Sequence, residues 1–192
     1  MKRALKITLR VIIFLTGFII SLYYYLDWSS IGKFALSQAY SRLSRTGMVM
    51  SYSDVTAADG GFTVNDLKLD GVADITFEAV TIKPGILSSI LSLGAVCDID
   101  FRKCEVTLGQ TMNFGDGHLL LSAWPREILL ENLSTNGEFS LNGYISLNPS
   151  DVKILRADAR INIPETFMSN MGMLQNFLPL VREGSQWYLR RR

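Results

Sequence analysis

Chemistry in this chain would have to be built from few parts. His118 is the one histidine in 192 residues, and a lone imidazole makes neither a metal site nor a triad by itself. It follows Gly115-Asp116-Gly117 and reads as a turn or surface residue. Asp98, Asp100 and Glu105 recur at strand spacing, and a solvated strand face accounts for them better than a pair of catalytic carboxylates. The two cysteines, Cys97 and Cys104, form neither a disulfide framework nor a CxxC metal motif. On one continuous strand they would lie about 23 Å apart at ~3.3 Å per residue, too far to bond. A tight turn at Arg102-Lys103 would bring them together, and an oxidising compartment would then permit a bond. The spacing favours two separate, small, buried hydrophobes. Asn132-Leu133-Ser134 matches the glycosylation acceptor pattern, a tripeptide that also arises by chance. Met168, Met171 and Met173 form a candidate partner surface of adaptable side chains, with core packing of their helix as the competing reading. No HExxH, GxSxG, P-loop or GxGxxG stands in a usable context. The residues therefore predict no catalytic site, no cofactor and no metal, and a protein that is not an enzyme.

Net charge is +1, which gives no electrostatic case for nucleic acid as a partner. Cations cluster at the two ends, Lys2 to Arg10 and Arg190-Arg191-Arg192, with the stretch between them slightly acidic. The terminal triplet reads as a solvated tail, or as a contact for anionic lipid or an acidic partner.

The elements that would position these residues begin with the N-terminus. Lys2, Arg3, Lys6 and Arg10 precede the uncharged run Val11–Leu26. Such a run makes a helix of about 24 Å, close to a ~30 Å hydrocarbon core. It predicts a transmembrane anchor with Val11, Ile12, Ile13, Phe14, Leu15, Phe18, Ile19, Ile20, Leu22 and Leu26 in lipid. Arg10, Tyr23, Tyr24, Tyr25 and Trp28 would stand at the interfaces. Cations on one side only would place the N-terminus in the cytoplasm, and the rest outside the inner membrane in the periplasm, as a single-pass protein. A cleaved signal peptide is the rival reading, but no small-x-small pair follows the apolar run.

After residues 1–28, the pattern divides into an amphipathic linker helix over 29–46, with Ser30 as N-cap and Gly47 as stop, and a β-rich region over 47–192. There the apolar period becomes two. Strands are expected over Met48–Val55, Phe62–Leu69, Ile75–Ile82, Val96–Leu108, Met112–Ser122 (one strand or two), Phe139–Leu147 and Leu155–Ile163. A hairpin turn falls at Asp59-Gly60, a short helix at Gly85–Leu93, and a short helix or loop at Pro125–Leu133. Pro164 would open a last helix carrying Phe167, Met171, Leu174, Leu178 and Val181, and Gln186–Arg192 would close the sheet. In three strands the apolar parity flips midway: Phe62, Val64 to Leu67, Leu69; Phe77, Ala79 to Val80, Ile82; and Ile99, Phe101 to Cys104, Val106. A bulge or corner in each keeps one face apolar and predicts a strongly curved antiparallel sheet.

The run Gly-Gly-Phe-Thr-Val-Asn-Asp-Leu-Lys-Leu, then Ile-Thr-Phe-Glu-Ala-Val-Thr-Ile-Lys-Pro, then Leu-Ser-Ser-Ile-Leu-Ser-Leu-Gly, then Val-Cys-Asp-Ile-Asp-Phe-Arg-Lys-Cys-Glu-Val-Thr-Leu-Gly, carries a resemblance. It is similar to membrane-anchored envelope proteins of the AsmA type and, more closely, to the N component (GspN) of bacterial type II secretion systems. Gly-Glu-Phe-Ser-Leu-Asn-Gly-Tyr-Ile-Ser-Leu and the Trp-Tyr-Leu-Arg ending add to it. The resemblance implies an accessory part of a secretion machine, with the membrane and other envelope or secretion-system proteins as partners. The alternative is an envelope protein that holds or transfers lipid along an apolar β groove.

Overall fold

The computed structural model describes residues 25–150, 153–165, 167, 179–184 and 186–191, with isolated positions 14, 17 and 21. Asp27 opens the first helix. Its carboxylate accepts the Ser30 backbone N–H at 3.3 Å and the Ser30 hydroxyl at 2.6 Å, so the cap lies three residues earlier than the sequence suggested. The Ser30 hydroxyl, more than any other group, holds the Asp27 carboxyl below its ordinary range. Helix α1 runs Trp28–Leu43. A 3-10 turn, Ser44–Thr46, leads to Gly47, whose φ of 80° ends the helix in a conformation that glycine adopts freely. Trp28, Gly32 and Leu36 are buried at every fourth position, so α1 presents one narrow stripe inward.

The described residues beyond it build one 11-stranded antiparallel sheet. In chain order these are β1 (Val49–Ser51), β2 (Asp54–Ala58), β3 (Gly61–Asp70), β4 (Asp74–Pro84), helix α2 (Ile86–Ser92), β5 (Ala95–Leu108), β6 (Gln110–Trp124), β7 (Glu127–Thr135), β8 (Ser140–Leu147), β9 (Ile154–Asn162), β10 (Leu180–Glu183) and β11 (Gln186–Arg191). The spatial order is β1-β3-β4-β5-β6-β7-β8-β9-β11-β10, with β2 also paired to β3. Most neighbours are consecutive in sequence, as in a meander. Four element readings change. The single strand expected over Met48–Val55 is two, β1 and β2, paired with different parts of β3. Pro125–Leu133 is mostly strand β7, because Glu127–Thr135 pairs on both sides. Val181 lies in β10, not in a helix. Met112–Ser122 is one strand: Gly115 has φ 67° and absorbs an irregularity that would otherwise end it.

The parity flips have a common structural origin. Asp66 (φ 51°), Lys103 (φ 48°) and Gly115 (φ 67°) all have positive φ. Pairing runs in step on both sides of the irregular residues: Asn65↔Ala79 and Leu67↔Phe77 between β3 and β4, Thr76↔Glu105 and Ala79↔Arg102 between β4 and β5. Cys104↔Gly115 follows between β5 and β6, with register shifts on either side. The irregularities at Asp66, Glu78, Lys103 and Gly115 therefore lie side by side, as a crease across β3–β6. A second crease, offset along β6, passes through β7 at Asn132 (φ 52°) and β8 at Gly143 (φ 148°). Left-handed Lys103 is held twice: its N–H donates to Asp116 Oδ1 at 3.0 Å and its ammonium pairs with Glu78. Arg102 stands 3.8 Å from the same carboxylate. The Lys103 hydrogen bond above all keeps the Glu78 carboxyl below its ordinary range.

The expected transmembrane helix is corrected. Among the described residues no helix is long and apolar enough to cross a membrane; the longer of the two described in full, α1, has 16 residues. The single-pass inner-membrane placement, cytoplasmic at the N-terminus and periplasmic beyond, rested on that helix and falls with it. Arg10, Val11, Ile12, Ile13, Leu15, Phe18, Ile19, Ile20, Leu22, Tyr23 and Tyr24 lie outside the described residues. What stands is a chain that is mostly antiparallel β.

Candidate functional site

The creases keep apolar side chains on one face through strands whose parity changes. That face is filled at both ends. At one end α1 lies over β1, β2 and β3, and Trp28 and Leu36 pack with Met50, Val55, Phe62 and Val64. Gly32 permits the approach, since a Cβ there would stand 2.6 Å from the Phe62 ring. At the other end Phe167 meets Phe139 edge-on, centroids 5.0 Å apart, in a cluster with Met112, Ile161, Ile163 and Trp187.

Between these ends the face is hollow among the described residues. A trough of ≈ 540 Å³ is lined by residues that include Leu67, Phe77, Phe101, Leu119, Leu130 and Leu141, from β3 through β8. A smaller hollow of ≈ 200 Å³ shares Phe114, Leu130 and Leu141 with it and extends it to Ile154 of β9 and Leu189 of β11. Among the described residues that line the trough, Thr135 alone carries a hydroxyl. That hydroxyl is engaged, accepting the Leu141 N–H at 2.8 Å and donating to the Phe139 carbonyl at 3.3 Å. The volume lies within the ~300–1,000 Å³ of small-molecule pockets. An apolar lining with its one hydroxyl already paired can hold hydrocarbon.

Both cysteines are on β5 and free, as the spacing favoured. Burial pushes the Cys104 thiol up to about 12 and raises that of Cys97, so neither is an activated nucleophile.

The opposite face is polar. Glu127 accepts the Ser146 hydroxyl at 2.6 Å and an Arg156 guanidinium N–H at 2.5 Å. These two bonds, the serine's foremost, hold its carboxyl below the usual range. A shallow depression of ≈ 660 Å³, lined by Glu131, Asn132, Ser134, Asn142, Tyr144 and Arg156 among others, lies nearby. Cross-strand register sets Asp100 opposite His118. His118 Nδ1 is 3.0 Å from Asp100 Oδ1 and 3.3 Å from Asp98 Oδ1. The sequence places Asp98 and Asp100 on one strand face and gives no link from either to His118.

Of the residues singled out from sequence, Met168, Met171 and Met173 lie outside the described residues. Phe14 and Tyr25 are exposed, Trp28 is buried, and Leu26 packs against the α1 cluster. The trough residues Leu119, Leu121, Leu130 and Leu133 were missed as a site. The signal for part of it was present in the parity flips, because apolar residues on both parities of one strand mark a single bent face.

The family model described as type II secretion system protein GspN-like, Synergistales, matches residues 5–191. No curated protein and no solved structure matches the chain.

Proposed function

The chain belongs to the GspN-like family of type II secretion system proteins, and from that membership we propose that it works as an accessory component of a secretion apparatus, by contact with another of its proteins. The family match over residues 5–191 carries this reading. The surface offered for contact is the sheet edge at β10, which pairs with β11 on one side and, among the described residues, ends the strand order on the other. Such an edge can accept a partner's strand by β-augmentation. Val181, 42% exposed, marks it. A photo-crosslinking residue at Val181 should capture a secretion-system protein, identified by mass spectrometry, and one at Thr76 in mid-sheet should not. Equal capture at both sites, or capture of no secretion-system protein at Val181, would refute contact through this edge.

The apolar trough favours a second reading, in which the same accessory protein holds an acyl chain. Each methylene buried there would contribute about 0.8 kcal/mol. On this reading lipid extracted from the purified chain is found by mass spectrometry. It is lost in Leu119→Trp, which fills the trough, while circular dichroism stays unchanged. A parent protein free of lipid, or a folded L119W protein that retains it, sinks the reading.

A further inference from the structure

We propose that Asp98, Asp100 and His118 form a binding site for a divalent transition-metal ion of the zinc class on the polar face of the sheet. The site does not depend on either reading of the trough or the edge.

The register builds it. β5 and β6 form a hairpin in which Asp100 faces His118 and Asp98 faces Leu120. Asp98 and Asp100 are two apart on one strand, so all three side chains leave the same face. Their ligand atoms lie within 4.8 Å of one another. The separations from His118 Nδ1, 3.0 Å to Asp100 and 3.3 Å to Asp98, match the ~3.3 Å between two ligand atoms each ~2.0 Å from a tetrahedral zinc.

The hydrogen bonding is incomplete without a cation. His118 Nδ1 is within hydrogen-bond distance of Asp100 Oδ1. Asp98 Oδ1 is enclosed, points into the cluster and has no hydrogen-bond partner. Among the described residues no cation relieves it: Lys83 is directly opposite Asp98 on β4 but forms no ion pair with either aspartate. A divalent ion at the centre would engage all three ligand atoms at once and neutralise two carboxylates. Thr81 opposite Asp100 and Ser134 opposite His118 border the site with hydroxyls. Side chains about half exposed, 44% for His118, 49% for Asp98 and 53% for Asp100, leave room for water in the remaining positions.

One imidazole with two carboxylates selects the metal. Magnesium and calcium prefer shells made wholly of oxygen, and an imidazole nitrogen favours zinc and its first-row neighbours. Calorimetric titration of the purified 192-residue chain with zinc chloride should give one ion per chain, with magnesium and calcium far weaker. His118→Ala, Asp98→Asn and Asp100→Asn should each weaken binding at least about tenfold, a loss of ~1.4 kcal/mol. Cys97→Ser with Cys104→Ser should leave it unchanged. Cobalt in place of zinc should show no thiolate charge-transfer band. No saturable binding by about 1 mM zinc, binding that survives H118A, or binding lost with the cysteines overturns the site.

Discussion

A Cβ on Gly117 would lie 2.3 Å from the tip of the Phe101 ring and 2.6 Å from the Ser134 carbonyl oxygen. Gly117 stands opposite Phe101 in the ladder, so the ring rests where a side chain would otherwise be. Gly117→Ala should cost about 1–3 kcal/mol by overpacking, read as a lower denaturant midpoint with an unchanged slope. On the polar face, Glu127 carries a pH dependence. Its folded carboxyl titrates below its unfolded value because Ser146 and Arg156 donate to it. Its contribution is therefore complete above the unfolded pKa of about 4.3 and fades as pH falls toward the folded value. Glu127→Gln should be less stable than the parent at neutral pH, and the gap should close as the medium is acidified below that range. A constant gap from pH 7 to 3 would show that the carboxylate charge is irrelevant there. The His118 constellation was present in the sequence but hidden. Folding the β5–β6 hairpin about Gly109 brings residue 118 opposite residue 100; without the knowledge that Gly115-Asp116-Gly117 continues a strand, no such register can be drawn.

At the scale of elements, α1 depends on one small residue. Gly32 brings the helix backbone close enough for Trp28 and Leu36 to reach Val55 and Phe62. The Ser29 hydroxyl fixes the approach by donating to the Val55 carbonyl at 3.2 Å. Gly32→Val should destabilise the protein by about 1–3 kcal/mol and speed tryptic cleavage at Lys33 and Arg42; unchanged cleavage would mean that α1 does not rely on this contact. The helix itself was legible from its apolar spacing, and its cap was missed by three residues because Asp27 had been assigned to the end of a longer helix. Strands with clean alternation, β8 and β9, were also legible. β7 was not: Ile128-Leu129-Leu130 is an apolar run without alternation, and Pro125 before it argued for a turn or helix.

Across the whole molecule, the parity of apolar residues in β3 and β5 announced backbone irregularities, and Asp66 and Lys103, both with positive φ, lie where the parity changes. The trough was only partly legible, because it needs strands distant in sequence, β3 and β8, to share one face around a fold that only pairing reveals. The expected membrane helix illustrates the opposite case: a strong compositional signal at residues 11–26 that the described helices do not carry. The crease through Asp66, Glu78, Lys103 and Gly115 has one more consequence. It works as a registration mark. A regular strand can slide by two residues and recover its pattern of faces, but each of these strands has one place where it must match its neighbour's irregularity. Sliding any of them by two would set a left-handed residue against regular backbone and put the residues between the two displaced irregularities on the wrong face. The sheet thus has one alignment across four strands, and an insertion in any one of them must be answered in the next.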